Sequence, residues 1–383
     1  MCQEEINPSI VAELAIGAKQ CCKNASSEGS MPRGIEWLTV YKRWYGTASV
    51  GSQRHTIKCL DIEGQSNIIC VGVSGSGIIT GHMDGTVTIS NVRGERRVLT
   101  EHGAPISGIV FVDIARKGPY ANELTTCDHH HVVSSSHDHS IRVISLCHDM
   151  ETVKEYFGST VLSMKVWGSL LAVSLQLNII VLFRMHFSLS ASHNQLVLTK
   201  LWSTSYATMG QTWMGFHGNT VHIMGTNNKV RQIDIVSHSE SVRGVFFRKA
   251  YDCDPLLGAI YPTGIDISRE STFIMTTASQ DMCTSIDGRY FVCYQAGLEI
   301  GKVTSVALNG ALLAVALSHG VLNLYHVPQP SDLLRLDLRA PRWTKKLTDN
   351  ALTSVCVSHG CYGAPLVVAC TSRQVYVLRW WEH

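Results

Sequence analysis

The chain has 383 residues, of which 45% are apolar and only 16% charged, with 32 basic against 30 acidic side chains. A net charge of +2 offers no basic field, so neither nucleic acid nor a membrane surface is an expected partner. The length suits one large core or two ordinary ones.

Residues 1–50 read as a helical segment. Ile10, Leu14 and Ala18, then Trp37, Leu38, Tyr41 and Trp44, recur at spacings of three and four, and a Ser/Gly/Pro-rich break at 26–34 separates the two runs. The opening residues are acidic and lack the basic-then-apolar pattern of a signal peptide. There are 13 cysteines and no CxxC pair. Cys59, Cys70, Cys293, Cys356 and Cys370 sit inside apolar strand patterns, where a reduced thiol acts as a small hydrophobe. A reducing compartment, cytoplasmic or nuclear, is the expectation. The apolar run 170–183 is interrupted by Ser174, Gln176 and Asn178 and is too short and polar to span a bilayer.

From 51 to 383 the grammar changes to short apolar strands bounded by turn residues, and it repeats. Each copy is an apolar strand, a second strand of small and apolar residues, a tight polar turn and a third alternating strand. Copy one is 68–73, 77–81, the turn Met83-Asp84-Gly85 and 86–92; copy two is 106–112, 132–136, the turn His137-Asp138-His139 and 140–146. Copy three is 161–167, 170–175, the turn Gln176-Leu177-Asn178 and 179–184; copy four is 211–216, 220–226, the turn Asn227-Asn228 and 229–236. Copy five is the most degenerate: 264–267, 273–278, the turn Ser279-Gln280-Asp281 and 282–286. Copy six is 303–308, 312–317, the turn Ser318-His319-Gly320 and 321–327; copy seven is 352–357, 366–370, the turn Thr371-Ser372-Arg373 and 374–380.

Seven such units in an open array would leave aggregation-prone edges, whereas a closed ring hides them. The spacing therefore predicts an all-β, seven-bladed β-propeller preceded by a short N-terminal α-helical segment. Fourth strands are expected at 96–100, 152–157, 196–201, 241–247, 291–294 and 343–347. The last copy has no room for one, so segment 54–62 is predicted to pair with it and close the ring.

The phrases Ile79-Thr80-Gly81-His82-Met83-Asp84-Gly85-Thr86-Val87 and Val133-Ser134-Ser135-Ser136-His137-Asp138-His139-Ser140-Ile141 resemble WD (WD40) repeats, although the Trp-Asp dipeptide is missing. Glu13-Leu14-Ala15 through Gln20-Cys21-Cys22-Lys23, followed by Trp37, Leu38, Tyr41 and Arg43-Trp44, is similar to the later half of an F-box and its trailing helix. Together they resemble an F-box/WD-repeat protein. That resemblance implies a non-enzymatic substrate receptor in an SCF-type ubiquitin ligase, a monomer within a complex, with a protein target, a Skp-type adaptor and a cullin as partners. The alternative is a WD-repeat scaffold in a different multiprotein complex. Leu14 and Cys22 are the better candidates for the adaptor surface; Trp37, Leu38, Tyr41 and Trp44 are expected to pack the helices on the ring.

On the ring, the candidate partner-binding residues are the turn residues Met83, Asp84, His137, His139, Asn178, Asn227, Lys229, Gln280, His319 and Arg373. Only Lys229 and Arg373 carry fixed positive charge, and phosphate recognition calls for several converging arginines, so a non-phosphorylated ligand is expected. His102, Asp138 and Ser135 or Ser136 form a trio that looks catalytic on paper. With nothing to supply an oxyanion hole, it reads as an internal blade network. Cys127, His129, His130, His131, His137 and His139 hold potential zinc ligands, but in no recognised spacing. No catalytic residue, metal or cofactor is expected.

Overall fold

The computed structural model describes residues 46–62, 66–74, 77–91, 94–113, 130–146, 150–167, 169–189, 194–205, 213–217, 220–224, 229–236, 240–244, 246–249, 255–256, 262–268, 272–277, 282–285, 290–294, 301–359 and 364–380. Leu14, Cys22, Trp37, Leu38, Tyr41 and Trp44 lie outside the described residues, as do Asn227 and Gln280.

Strand β1 (His55–Asp61) comes first. Blade 1 is β2 (Ile68–Ser74), β3 (Gly77–His82), β4 (Thr86–Asn91) and β5 (Arg96–Glu101); blade 2 is β6 (Ile106–Asp113), β7 (His130–Ser136), β8 (Ser140–Ser145) and β9 (Met150–Tyr156). Blade 3 is β10 (Val161–Trp167), β11 (Leu170–Leu175), β12 (Ile179–Leu189) and β13 (Asn194–Ser205); blade 4 is β14 (Trp213–His217), β15 (Thr220–Met224), β16 (Lys229–Asp234) and β17 (Glu240–Gly244). Blade 5 takes β18 (Phe246–Lys249), β19 (Pro255–Leu256), β20 (Pro262–Ser268), β21 (Thr272–Thr277), β22 (Met282–Ser285) and β23 (Tyr290–Tyr294). Blade 6 is β24 (Val303–Asn309), β25 (Leu312–Leu317), β26 (Val321–His326) and β27 (Trp343–Lys346). Blade 7 is β28 (Ser354–His359), β29 (Pro365–Cys370) and β30 (Gln374–Trp380), with β1 on its outer edge.

The seven innermost strands, β2, β6, β10, β14, β20, β24 and β28, touch one another in sequence, and β28 touches β2. The cycle is closed. Its seam is where the sequence places it: β1 pairs antiparallel with β30, from His55 opposite Trp380 to Asp61 opposite Gln374.

The apolar pattern follows from this packing. Second strands lie sandwiched between neighbouring blades, so β11, β25 and β29 are buried at every position; β25 and β29 read as unbroken apolar runs and β11 as one broken only by Ser174. Core clusters accordingly span two blades each. Val133, Ile141 and Val143 of blade 2 pack with Leu171, Val173 and Phe183 of blade 3, and Leu170 and Leu182 of blade 3 pack with Met214 and Ile223 of blade 4. Every blade thus covers its neighbour's face, which is why a ring and not a single sheet is the stable unit.

Three expectations are corrected. Segment 241–247 is not one strand. Glu240–Gly244 completes blade 4, but Gly244 already faces Lys229, the first residue of β16, so the ladder runs out there. The chain moves on, and Phe246–Lys249 joins blade 5 in parallel with β23, with β19 beyond it, making a six-stranded sheet. Strands β12 and β13 run to 11 and 12 residues, well past the predicted ends. Cys293, expected as a reduced thiol, is disulfide-bonded to Cys283, its directly opposite partner on β22 with Cα atoms 4.2 Å apart.

Candidate functional site

Consecutive strands in a four-stranded blade run antiparallel, so every turn between second and third strands emerges on the same face as the start of the first strand. A recurring bond ties the two together. The amides of Met83, His137, Gln176 and Ser318 donate to the carbonyls of Asn67, Pro105, Thr160 and Lys302, each at 2.9 Å. One face is therefore built by repetition, and it carries the candidate residues.

The turns share a conformation. Gly85, Asn178 and Gly320 close i to i+3 bonds onto His82, Leu175 and Leu317 at 3.1, 3.1 and 3.2 Å. The third turn residue takes a left-handed φ in four blades: 91° at Gly85, 69° at His139, 55° at Asn178 and 81° at Gly320. This is the three-residue hairpin loop that ends in a left-handed residue. Glycine adopts it freely and Asn at little cost, but His139 bears strain.

The candidate residues divide on inspection. Asp84 is exposed, but its Oδ1 accepts the Thr86 amide at 3.0 Å and the Thr86 hydroxyl at 2.7 Å. It holds its own turn together, as Asp138 does with Ser140 at 3.0 and 2.6 Å. Thr371 plays that part in blade 7, its Oγ1 accepting the amides of Arg373 and Gln374. Met83, His137, His139, Lys229, His319 and Arg373 are exposed on this face, and Asn178 is half-buried. His319 lies against Gly301, which has a φ of 87° and no room for a Cβ beside the imidazole.

Sequence reasoning missed Lys302, exposed just before β24, and Tyr156, which ends β9 beside the blade 2 turn and is 62% exposed. Leu177, in the middle of the blade 3 turn, is also 62% exposed. The usable signal was position: a residue directly before a first strand, or at the end of a fourth, lands on the turn face.

Behind the face lies the network predicted around His102, with different serines. The ring Nδ1 contacts Asp138 Oδ2 and Ser140 Oγ, both at 3.1 Å, and Nε2 contacts Ser134 Oγ at 2.9 Å. Ser135 sits on the other side of β7 and bonds Ser107, while Ser136 turns to the Ala104 carbonyl. The His102 amide also donates to Gly85 O at 2.8 Å, so one residue joins the blade 1 turn to the blade 2 interior. Burial alone would raise the Asp138 carboxyl. The Ser140 hydroxyl, the Gly103 amide, His102 and the Ser140 amide together outweigh it and hold the pKa at about 2. His102 is buried and enclosed by these partners, an arrangement that stiffens the blade and leaves the ring no open side.

Blades 1 and 3 fill the corresponding space otherwise. In blade 1, His82 from the end of β3 contacts Thr80 Oγ1 at 2.9 Å and the Ser66 carbonyl at 3.0 Å, and burial lowers its pKa. In blade 3, Phe157 occupies the backbone position of His102, its amide bonded to His139 O, and its ring stacks edge-on against Phe183 at 6.1 Å. A polar network and an aromatic pair do the same structural job. Among the described residues no three His, Cys, Asp or Glu side chains converge as a metal-ligand group, and no helix is long and apolar enough to cross a membrane. Buried His131 and exposed His137 stand at opposite ends of β7; Cys127 and His129 lie outside the described residues.

The chain superimposes on the β-propeller domain of Cps50 (Swd1) from Myceliophteria thermophila, with a TM-score of 0.58, 13% identity, and coverage of 84% of this chain and 99% of that one. This is a seven-bladed β-propeller. At that identity the likeness concerns the fold alone. No family model and no curated protein matches the sequence.

Proposed function

We propose that this propeller is a protein-binding platform whose turn face holds a target, and that it serves as the substrate receptor of a cullin-type ubiquitin ligase, with the N-terminal helical segment holding a Skp-type adaptor. The observation that supports the reading most is a separation of faces. β30 starts beside the exposed Arg373 on the turn face and ends at Trp380, six residues on, roughly 20 Å away at ~3.3 Å per residue. The chain enters the ring at that far end, where Trp380 binds Val50. A target on the turns and an adaptor on the preceding residues would thus occupy opposite sides without competing.

The turn face also has the right chemistry for a protein ligand. Met83, Tyr156 and Leu177 present apolar surface on three successive blades, and His137, His139, Asn178, Lys229, His319 and Arg373 add hydrogen-bonding groups. The fixed positive charges named on this face, Lys229, Lys302 and Arg373, come from three different blades, which supports a non-phosphorylated target over one held by several clustered arginines.

Affinity purification of the full chain tests both halves. Co-purification of a Skp-type adaptor and a cullin is expected; their stable absence leaves a scaffold of another assembly. Replacing Lys229 and Arg373 together with Glu should abolish target capture while the melting temperature stays unchanged. Capture that survives the double change moves the target off the turn face.

A further inference from the structure

The face opposite the turns carries a site that the sequence did not announce. Val50 is completely buried, in the apolar cluster that joins blades 6 and 7 and that also holds Leu312, Leu324, Trp343 and Trp380. Its carbonyl accepts a hydrogen bond from the Trp380 indole Nε1 at 2.9 Å, across 330 positions of sequence. Trp343 and Trp380 stand 5.6 Å apart at 75°, and His55 meets Trp343 edge-on at 5.3 Å and Trp380 at 5.6 Å. The next residue, Gly51, lies so close to the Arg342 carbonyl that a Cβ would overlap it. Ser49 O then accepts the amides of Ser52 and Gln53 at 2.9 and 3.0 Å, folding the segment into a tight turn, and Thr47, three residues before Val50, is fully buried.

We propose that this aromatic seam is a binding site for the chain's own residues 46–53, reading an apolar side chain followed by glycine, and that it anchors whatever precedes Gly46 to the face opposite the turns. Three independent features point to recognition and not to incidental contact. An indole donor addresses a backbone carbonyl that would otherwise be buried without a partner. An apolar pocket takes one side chain. A backbone approach at Arg342 admits only glycine at the position after it. The strand pairing that seals the ring is between β1 and β30, downstream of the seat, so the seat is not needed for that pairing; it governs the segment before the latch. The inference does not depend on which partner the preceding residues hold.

Hydrogen exchange on the full-length chain, read by mass spectrometry on peptides covering 46–54, tests it with two variants. Trp380→Phe keeps an aromatic ring and removes the donor; Gly51→Ala keeps both tryptophans and adds the Cβ against Arg342. In the unaltered chain the Ser52 and Gln53 amides should be protected. Each variant should speed their exchange at least tenfold, while peptides from β25 and β29 exchange as before. Unprotected amides in the unaltered chain would overturn the proposal, as would exchange within twofold of it in both variants. Should Trp380→Phe loosen β29 as well, Gly51→Ala decides between the two outcomes, because it alters neither β30 nor β29.

Discussion

The Gln374 side-chain amide donates to Asp61 Oδ1 at 2.8 Å although 313 positions separate them, and the Tyr376 hydroxyl donates in turn to Gln374 Oε1 at 2.7 Å. Around this chain of bonds, all seven residues of β1 pair with β30. Strands far apart in sequence make one blade, so peeling β1 away breaks the strand pairing that seals the ring. Prolines placed singly at Ile57 and at Lys58 test the latch. Successive amides in a strand point alternately to the partner and away, and proline removes whichever it replaces. One of the two variants should lose about 2–3 kcal/mol in urea unfolding and scatter light earlier on heating, because the bared edge of β30 can pair between molecules. Equal, small effects from both would mean that β1 does not hold the ring.

The disulfide between Cys283 and Cys293 bridges opposite positions of β22 and β23, at a sequence separation of 10. Closing so short a loop constrains the unfolded chain by about 2–3 kcal/mol in the chain-entropy view. Cys283→Ser with Cys293→Ser should therefore lower stability by that order, and adding a thiol reductant to the variant should change nothing further. If the unaltered chain unfolds at the same denaturant concentration with and without reductant, the bridge has no stabilising role.

How much of this was legible depended on whether a side chain marked the event. Strands β11, β25 and β29 announced themselves because burial on both faces demands a nearly continuous apolar run. The seam at β1 was legible by elimination, since copy seven ended with no fourth strand of its own. The hand-over at Gly244 was not, because the apolar pattern continues through Val245 and Phe246 while only the length of β16 decides where pairing stops. Ser134 was missed for Ser135 and Ser136 for a similar reason: alternation fixes the face of a serine, but only the turn geometry fixes how far along β7 the His102 ring reaches. The seat for Val50 gave no signal at all, since Trp343 and Trp380 read as ordinary strand residues until the ring brings them together.

The network around Asp138 makes an acid prediction. With a native pKa of about 2 against an ordinary unfolded value near 3.9, the folded state favours the ionised carboxylate. Stabilisation is therefore present in full above pH ~4 and is lost as pH falls from about 4 through about 2. Because the carboxylate is partly exposed, solvent screening reduces the contribution to about 1–2 kcal/mol. Asp138→Asn should flatten that part of the acid-unfolding profile, and His102→Ala should cost about 2–3 kcal/mol at neutral pH by taking the ring partner from Ser134 and one partner from Asp138 and leaving a cavity behind the turn. A profile for Asp138→Asn that parallels the unaltered chain between pH 4 and 2 would remove Asp138 as the cause.

The turns separate structural from functional demands at a single backbone position. Gly320 has a φ of 81°, and a Cβ there would overlap the Thr348 carbonyl; Gly85, at 91°, faces the His102 carbonyl in the same way. Gly320→Ala should cost upwards of about 2 kcal/mol, combining left-handed strain with a contact that only backbone movement can relieve. His139 holds the equivalent position at 69° with its side chain exposed, so the strain it carries is not repaid by packing. His139→Gly should raise stability by about 0.5–1 kcal/mol in thermal unfolding. Under the proposed function the same change should weaken target capture, because an exposed imidazole in a strained turn is kept for what it contacts outside the ring. A His139→Gly chain that is both more stable and fully competent in capture would take His139 off the binding face and leave it a tolerated defect of the turn.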